Sequence, residues 1–595
     1  MSSIDTGLHY PIDLESLPQS WACDLVGRVC DVVQSGFACG KHSDNDIGIT
    51  HLRPMNVSRD GTIDLAIKKF VPASHDDRRL NKGDVLFNNT NSPELIGKTA
   101  YVTKEADGLA FSNHMTRVDF NRLIDAKYGA YQLHYLWMAR YYMHKCVKHV
   151  NQASISSRDF SKSIPFVVPP TNEQHRIVAK IEELFSELDK GIDSLKTARE
   201  QLKVYRQALL KHAFEGKLTE QWRAEQGCSS AARGQESEAA KDNADTAQGG
   251  ASVAGGQEPG ATKLETADDV QGSTNAAGAG SAGAAKLLER IKQEREARYQ
   301  QQLEEWKAAV KQWEADGKEA KKPSKPQKHK TVDGISSEEY SRLPGVPKEW
   351  GYIRFGEVID TIDAGKSFKC DEREPLDSEV GVAKVSAVTW GEYDQSESKT
   401  CLDPEKVVSE YFIREGDFIM SRANTIELVG AAVIVRHVSK SVMLSDKTLR
   451  ISMDNSLKPF ALHYLRSRTG RKEIMSRSTG NQESMRNIGQ DRIRSICLPI
   501  CSEIEIGKII DLLDEKLSVV DEQIQNIDAS LSKSETLRQS ILKKAFSGQL
   551  VPQDPDDEPA TILLERIAKE KEEAAAKAKK AKAAKKKTAK EKKAL

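Results

Sequence analysis

An internal repeat constrains this chain more than any other feature of its sequence. The segment RQALLKHAFEG at 206–216 returns as RQSILKKAFSG at 538–548, and Pro-Gln-Ser-Trp at 18–21 returns as Pro-Lys-Glu-Trp at 347–350. Between these pairs the offset stays at 329 to 333 residues, across some 200 residues of each copy. Chance does not hold a spacing so constant. The sequence therefore predicts a tandem duplication of one unit, a globular half followed by a helical half.

The first copy also contains an insertion. Leu-Leu-Glu-Arg-Ile at 287–291 returns at 563–567, an offset of only 276, so the first copy is 56 residues longer before that point. A stretch rich in Gly, Ala, Ser, Gln and Glu supplies the extra length, and no aromatic residue occurs between 223 and 298. Because such a stretch cannot bury enough apolar surface to offset its ordering entropy, we predict a flexible linker.

The repeat and these changes of composition divide the 595-residue chain into seven segments. We predict a first globular domain at 12–163, a first helical region at 164–222, a disordered Gly/Ala-rich linker at 228–283, a charged helical segment at 284–321, a second globular domain at 344–495, a second helical region at 496–552 and a Lys/Ala-rich helical tail at 560–595. From position 571 the tail holds 11 Lys against 3 Glu, which favours a solvated, frayed helix, with a nonspecific contribution to nucleic-acid binding as the alternative.

The two globular domains show the same mixture of local patterns. Short β-like runs alternate with turn residues, as at 431–435, where an apolar run follows Gly430 and predicts a buried strand. The segments 131–150 and 459–475 have the pattern of helices. Each domain is therefore predicted to have a mixed α/β fold, and the whole chain belongs to the α+β class.

In both helical regions apolar residues alternate at spacings of four and three. A period averaging 3.5 is typical of a coiled-coil seam. The predicted seam residues are Ile181, Phe185, Leu188, Ile192 and Leu195 in the first region and Leu513, Leu517, Val520, Ile524, Ile527 and Leu531 in the second. Asn172 and Ser502 are candidate N-caps, and Gly216 and Gly548 suit the position after a helix. We expect the two helices to pair as an antiparallel coiled coil within the chain; pairing with another protein or self-dimerisation is the alternative.

Motifs of enzymes and of metal sites are missing from the sequence. Gly97-Lys98-Thr99 lacks the earlier glycine of a phosphate-binding loop, and 168–171 lacks the polar and aromatic ends of the amino-methyltransferase tetrapeptide. The nine cysteines form no CxxC pair, and no apolar run approaches membrane-spanning length. We therefore expect reduced cysteines, a cytoplasmic protein without membrane association, no metal site and no catalytic residue.

Basic residues are concentrated at the end of each globular domain, although the formal net charge of the chain is zero. Residues 127–162 hold six Lys or Arg against one acid, and 458–494 hold nine against three. Each stretch ends near a repeated Asn-Gln-x-Ser. Cations neutralise phosphates, whereas Asn, Gln and Arg can read base edges. An ordinary solvated helix face is the alternative, but the recurrence in both copies favours DNA contact.

A second candidate DNA contact is the loop after the Gly-Asp turn, which contains Asn88, Asn89 and Asn91 in one copy and Ser421, Arg422 and Asn424 in the other. Taken together, the candidate DNA-binding residues are Asn88, Asn91, Lys145, Lys148, Asn151, Gln152, Arg158 and Lys162 in the first domain and Arg422, Asn424, Arg468, Arg471, Lys472, Arg477, Asn481, Gln482 and Arg486 in the second.

This arrangement resembles the specificity subunit of type I restriction–modification systems. The motifs that carry the resemblance are the Pro-x-x-Trp openings at Trp21 and Trp350, the Gly-Asp turns at Gly83 and Gly416, the Pro-then-helix entries, and the Leu-Leu-Lys-x-Ala-Phe-x-Gly-x-Leu close at 209–218 and 541–550. The family pattern is two target-recognition domains alternating with two helices. The long linker departs from that pattern.

The resemblance implies a non-catalytic subunit that binds double-stranded DNA. Each recognition domain would read one half of a bipartite asymmetric site, while the helices set the spacer and dock the partner subunits. The implied partners are two methyltransferase subunits, which use S-adenosylmethionine, and endonuclease/translocase subunits, which use ATP and Mg²⁺; this subunit itself would bind no cofactor. A fused methyltransferase or nuclease and a purely structural coiled-coil protein are the competing classes.

Overall fold

The computed structural model describes residues 9–40, 42–43, 47–73, 78–150, 152–226, 282–318, 322–326, 328–482 and 485–591. All but the last two residues of the predicted linker at 228–283 lie outside these ranges. The chain divides into two compact units: unit 1 comprises Met1–Ala198 and Gln525–Leu595, and unit 2 comprises Arg199–Ile524. Each unit contains one globular domain, together with parts of both helical regions.

The globular domain of unit 1 is built from short strands and four short helices. Its strands are β1 (Ala22–Leu25), β2 (Cys30–Ser35), β3 (Ile49–Leu52), β4 (Phe70–Val71), β5 (Val85–Asn88), β6 (Thr90–Asn91), β7 (Thr99–Tyr101), β8 (Ala110–Phe111), β9 (Met115–Phe120), β10 (Val147–Lys148), β11 (Ala153–Ser154) and β12 (Pro165–Val168), and its helices are α1 (Val26–Val29), α2 (Ala126–Met138), α3 (Tyr142–Lys145) and α4 (Ser157–Ser163). The described residues of this domain form four small sheets, with the orders β2-β9-β5-β7, β4-β3-β8, β10-β11-β6 and β1-β12.

The central strand β5 is buried on both faces, which explains why its first three residues, 85–87, are all apolar. Val85 and Phe87 pack into the core that includes α2, whereas Leu86, between them, packs into a separate cluster with Leu52 and Phe111. Side chains alternate across a strand, so a strand with two covered faces needs apolar residues at every position. The central sheet therefore separates two small cores.

The domain of unit 2 repeats this topology. Its strands are β13 (Gly351–Arg354), β14 (Ile359–Ala364), β15 (Val380–Ala383), β16 (Ser398–Cys401), β17 (Phe418–Ser421), β18 (Ala423–Asn424), β19 (Ala432–Ile434), β20 (Val442–Met443), β21 (Thr448–Met453), β22 (Thr479–Gln482), β23 (Met485–Asn487) and β24 (Cys497–Ile500). The sheets are β14-β21-β17-β19, β16-β15-β20, β18-β23-β22 and β13-β24, the counterparts of those in unit 1. The predicted buried strand at 431–435 is observed as β19.

Two long helices contribute to both units. In chain order, the remaining helices are α5 (Thr171–Phe214), α6 (Ala282–Ala315), α7 (Ser337–Ser341), α8 (Lys458–Arg466), α9 (Arg468–Arg477), α10 (Gln490–Arg494), α11 (Glu503–Phe546) and α12 (Ala560–Glu591). Helices α5 and α11 have 44 residues each. Helix α5 starts in unit 1 and ends in unit 2, whereas α11 starts in unit 2 and ends in unit 1.

The helices predicted at 131–150 and 459–475 are each interrupted. In the first, α2 ends at Met138 and Arg140 has a positive φ of 62°, after which the short α3 and the strand β10 follow. In the second, Ser467 separates α8 from α9 and caps α9 by accepting a hydrogen bond from the backbone N–H of Gly470. A residue in the left-handed or extended region ends the helical ladder, and the apolar pattern alone does not reveal it.

The long helices pack against each other in an antiparallel sense within each unit. In unit 1, Phe185 of α5 shares a core with Leu542 of α11, and Arg538 forms an ion pair with Asp189. In unit 2, Arg206 of α5 forms an ion pair with Asp521 of α11. Within unit 2, residue 206 contacts residue 521, and residue 219, just beyond the end of α5, contacts residue 505 near the start of α11, so the partner number falls as the number along the first helical region rises. The predicted antiparallel pairing is therefore confirmed.

All eleven predicted seam residues are buried or half-buried. Ile181, Phe185, Leu513, Leu517 and Val520 are buried, at 8% exposure or less. The other six are half-buried: Leu188, Ile192, Leu195, Ile524, Ile527 and Leu531. The buried members all belong to cores that also contain residues of a globular domain, so the domain covers this part of the seam.

The ends of the long helices follow from particular residues. Gly216 (φ 72°) and Gly548 (φ 70°) occupy the position after each helix. At both ends the following N–H reaches back five residues, from Lys217 to the carbonyl of His212 and from Gln549 to that of Lys544, which completes a Schellman motif. The predicted C-terminal glycines are confirmed. Ser502 caps α11, but Asn172 lies inside α5, so the N-cap prediction for Asn172 is wrong.

The repeated Pro-x-x-Trp opening fastens each globular domain to both helices. We call Trp21, Glu173 and Gln553 the first clasp: the indole of Trp21 donates to Glu173 Oε2 at 2.9 Å, and Gln553 donates to Glu173 Oε1 at 2.6 Å. Burial raises the pKa of the Glu173 carboxyl. Pro18 packs against Gly548, where a Cβ would lie 2.4 Å from the proline ring. The opening motif, the start of α5 and the segment after α11 therefore form one joint.

The second clasp, in unit 2, consists of Trp350, Glu505, Thr219 and Arg223. Glu505 Oε2 accepts from the indole of Trp350 at 3.0 Å, and its Oε1 accepts from Thr219 at 2.7 Å and from Arg223 at 2.5 Å. The same joint therefore forms in both units, with a cation present only in the second. No helix among the described residues is apolar enough over a sufficient length to cross a membrane.

Candidate nucleic-acid interface

A three-stranded sheet in each domain brings the two groups of candidate residues together. We call β10-β11-β6 and β18-β23-β22 the hairpin sheets. In unit 1, Asn91, after the Gly-Asp turn, pairs with Ala153 at the end of the basic stretch. In unit 2, Asn424 pairs with Arg486. The sequence presented these as two separate candidate sites, about 60 residues apart, and the strand pairing joins them into one.

Most of the candidates in unit 1 lie at the surface. Exposed side chains are those of Lys148, Gln152, Arg158 and Lys162. Asn91 is half-buried, and its side-chain oxygen accepts from the backbone N–H of Ser92 at 2.9 Å. Lys145 is half-buried, with its ammonium group 5.6 Å from the centre of the Tyr141 ring. Asn151 lies outside the described residues.

In unit 2 the candidates divide between the hairpin sheet and α9. Arg468 and Lys472 of α9 are exposed, and Arg422, Asn424 and Arg486 are half-buried. Asn481 and Gln482 lie on β22. The guanidinium of Arg486 donates to the carbonyl of Gly480 at 2.7 Å, which ties the hairpin strands together.

Three candidates have side chains that are occupied by contacts within their own domain, which argues against the predicted contact with DNA. Asn88 is fully buried, with its amide donating to the carbonyl of Pro54 at 2.9 Å. Arg471 donates to the carbonyl of Ile426 at 3.0 Å and lies 4.6 Å from the Trp390 ring, and burial lowers its pKa.

Arg477 is the third of these candidates. It pairs with Glu473 at 2.8 Å and donates to the carbonyl of Ser495 at 3.1 Å, and its side chain is only 15% exposed. Both arginines therefore donate to backbone carbonyl groups of their own domain. A count of charges in the sequence does not show which way a cation points.

The structure also reveals cations that the sequence analysis missed. A cleft of about 490 Å³ opens beside the hairpin sheet of unit 2, and Lys384, Lys399, Lys447 and Asn424 are among its lining residues. Lys399 pairs with Glu372. Within the described residues, no carboxylate forms an ion pair with Lys384 or Lys447. Cations without a partner beside a hairpin with amide groups form a suitable surface for a phosphate backbone.

A signal for these lysines was present in the repeat. Lys384 directly follows β15, and Arg53 directly follows its counterpart β3 in unit 1. Lys447 precedes β21, and His114 precedes the counterpart β9. An alignment of the two copies strand by strand would have identified one position with a cation in both copies, that of Lys384 and Arg53. Such an alignment requires the strands to be known.

The histidines and cysteines of the described residues show no sign of a reactive site. Burial lowers the pKa of His134 and of His51 to about 4, so both are neutral interior groups. All eight described cysteines are free thiols. No cluster of three His, Cys, Asp or Glu side chains that could hold a metal ion occurs in the described part of the chain.

Comparison with known proteins gives one consistent result. Residues 33–201 match the model of the type I restriction modification DNA specificity domain. The chain is 31% identical over 205 residues to the type I restriction enzyme EcoEI specificity subunit of Escherichia coli, a match that covers 34% of each protein. It is 24% identical over 261 residues to the EcoKI specificity subunit of Escherichia coli K12, which covers 41% of this chain and 54% of that protein.

A solved structure supports the fold over a greater length. It is described as "Structural basis underlying complex assembly and conformational transition of the type I R-M system", and it matches 90% of this chain and 99% of its own with a TM-score of 0.52 at 16% identity. The sequence matches, by contrast, span about a third to a half of the curated relatives. Residues 33–201 are thus similar to the type I restriction modification DNA specificity domain, and the predicted resemblance to type I specificity subunits is confirmed.

Proposed function

We propose that this chain is the DNA specificity subunit of a type I restriction–modification complex, in which each globular domain reads one half of a bipartite DNA site. The observation that carries the proposal is the hairpin sheet, which occurs in both domains and unites amide and cationic side chains at one surface. Amides and guanidinium groups read base edges, and cations neutralise phosphates. A protein with two homologous reading domains suits a target with two parts.

The two half-sites differ in sequence because equivalent positions hold different side chains. Asn91 and Asn424 occupy the same place in the two hairpin sheets, but the residue paired with the first is Ala153 and that paired with the second is Arg486. Arginine is the usual reader of guanine in the major groove. Ala153, by contrast, is buried in the core of unit 1 and presents no group to a base. The bipartite site is therefore asymmetric.

The remaining functions belong to partner subunits. The chain itself catalyses no reaction and binds no cofactor in this proposal; two methyltransferase subunits supply S-adenosylmethionine-dependent modification, and endonuclease/translocase subunits use ATP and Mg²⁺. Helices α5 and α11 set the spacer between half-sites and dock these partners. The names of the relatives, which are specificity subunits of type I restriction enzymes, support this division, and the proposal assigns the complex to the cytoplasm.

Mapping of methylated sites tests the proposal. The full chain is combined with its methyltransferase subunits, and methylated adenines are located on genomic DNA by single-molecule sequencing. We expect Arg486→Ala to relax one half of the recognised sequence and to leave the other half and the spacer unchanged. The matched control is Lys148→Ala in the hairpin sheet of unit 1, which leaves the half read by unit 2 intact. Relaxation of both halves by Arg486→Ala, or of neither, would contradict the proposal.

A further inference from the structure

The C-terminal helix α12 is fixed to unit 1 by its first three turns. Leu563 and Ile567 are buried in the core of the unit. The ammonium group of Lys571 donates to the carbonyl of Gly27 at 2.9 Å and also to that of Cys30. The prediction that the helix is frayed and solvated from Lys571 onward is therefore wrong at its starting residue, because that side chain anchors the helix.

Beyond this anchor the composition of the helix changes abruptly. Residues 577–593 contain ten Lys and one Glu, and the others are alanines and one threonine. The helix continues to Glu591. From 577 to 591 it is about 22 Å long at 1.5 Å per residue. Eight lysines fall within that length, a density of about one positive charge per 3 Å.

The matching helix of the first copy has a different continuation. Helix α6 is anchored in unit 2 by Leu287 and Ile291, the counterparts of Leu563 and Ile567. Further along, the indole of Trp306 donates to the carbonyl of Pro323 at 3.0 Å, and Lys325 lies 5.8 Å from the same ring. The chain returning from α6 therefore packs on its own helix. Helix α12 has no aromatic residue with which to do the same.

We propose that the lysine-rich end of α12 is a sequence-independent DNA-binding arm held on unit 1. This inference rests on the proposed function, because it assigns the arm to the same DNA. Duplex DNA carries one negative charge per about 1.7 Å of axis, so a dense row of lysines releases condensed counterions when it lies along the phosphates. The arm has no large apolar side chain, which leaves no face for insertion into a membrane.

The arm and the hairpin sheets have separate tasks in this scheme. The net charge of the chain is zero, so long-range attraction to DNA has to come from local concentrations of cations. The arm supplies affinity and faster encounter with any duplex, and the hairpin sheets supply sequence preference. Removing the charge of the arm should therefore weaken binding to all sequences by the same factor.

The test uses the full chain in complex with its methyltransferase subunits. In the arm variant, the eight lysines at 577, 579, 580, 582, 585, 586, 587 and 590 are changed to Gln, which preserves helix propensity. The matched control changes the exposed Lys286, Lys292, Lys307 and Lys311 of α6 to Gln. Binding is measured from about 50 to about 200 mM salt on a duplex that carries a mapped methylation site and on a scrambled duplex.

We expect the arm variant to bind both duplexes at least tenfold more weakly at the lowest salt. If half of its eight lysines contact phosphates, the negative slope of log K against log salt should become less steep by about 4. The ratio between the two duplexes and the slope of the control should not change. The inference would be overturned by an unchanged slope, which is the result expected if the arm binds an acidic protein instead. It would also be overturned by a loss of binding confined to the mapped duplex. If the wild-type complex showed no preference for the mapped duplex, the proposed function would be refuted but not the arm, because the arm is tested by the difference in salt slope between the wild-type complex and the arm variant.

Discussion

The second clasp provides a quantitative test of what fastens a recognition domain to the long helices. The side chain of Glu505 is 4% exposed and accepts from three donors, the indole of Trp350, the hydroxyl of Thr219 and the guanidinium of Arg223. Glu505→Ala removes this acceptor from all three donors and leaves the Arg223 guanidinium without a neutralising carboxylate, with only the Gly216 carbonyl and the Thr219 hydroxyl as acceptors. Removing one partner of a buried ion pair costs about 3–5 kcal/mol, and we expect a loss of that size in the free energy of unfolding of unit 2.

The first clasp supplies a matched comparison. Glu173 accepts from Trp21 and Gln553, which are both neutral, and burial raises the pKa of its carboxyl. Glu173→Gln therefore removes a charge that no cation neutralises directly, and we expect a cost of about 1 kcal/mol. Glu505→Gln deprives Arg223 of its carboxylate, and a hydrogen bond to a charged group contributes about 1.5–3 kcal/mol. The second change should be clearly the more costly.

Hydrogen exchange reads each clasp separately. Peptides that contain β13 and β24 report on unit 2, and peptides that contain β1 and β12 report on unit 1, so the free energy of local opening is obtained for each. Glu505→Gln should lower protection in the unit 2 peptides only, and Glu173→Gln slightly in the unit 1 peptides only. If Glu505→Gln cost no more than Glu173→Gln, the argument from the buried ion pair would be refuted.

Two further outcomes follow from the structure. Burial lowers the pKa of the His134 imidazole to about 4, whereas in the unfolded chain it is about 6.5. As the pH falls from about 6.5 to about 4, the unfolded chain binds a proton that the folded chain does not, so the free energy of unfolding of unit 1 should decrease by up to about 3 kcal/mol. Thermal melts of a His134→Gln variant should show a smaller decrease over the same pH range. Inserting one heptad after Leu195 and one after Ile527 keeps the seam in register and adds about 10 Å of helix, so methylation mapping should find the spacer longer by about 3 bp with both half-sites unchanged; methylation at the old spacing would show that the helices do not set it.

The sequence predicted those features that depend on period and on local backbone chemistry. The antiparallel helices follow from a 3.5-residue spacing, and their ends at Gly216 and Gly548 follow from the freedom of glycine to adopt a positive φ. The repeat predicted two domains of the same fold, and the topologies of their sheets agree. Local rules were sufficient for the helices and their ends, because each depends on residues within a few positions of each other, whereas the two domains were predicted from the repeat.

Contacts between distant residues were beyond such rules. Asn88 and Arg477 suit a DNA surface by residue type, and only the fold shows that their partners are the carbonyl groups of Pro54 and Ser495. Glu173 looked like an ordinary acidic residue at a helix start. Its partner Gln553 is 380 residues away, and no local pattern announces that contact. The union of the two candidate groups in one hairpin sheet was hidden for the same reason.

The division of the sequence between the units has a consequence for synthesis of the protein. Unit 2 is one continuous segment, Arg199–Ile524, whereas unit 1 needs both Met1–Ala198 and Gln525–Leu595. The first domain to leave the ribosome therefore cannot complete its core until the second segment has been synthesised, because Ile541, Leu542 and Leu563 cover that core. Unit 2 can fold while that domain is still incomplete, and N-terminal domains do not have priority here. A ribosome that stops early would release a chain with one finished domain, the second, and an unfinished first domain exposed to proteases.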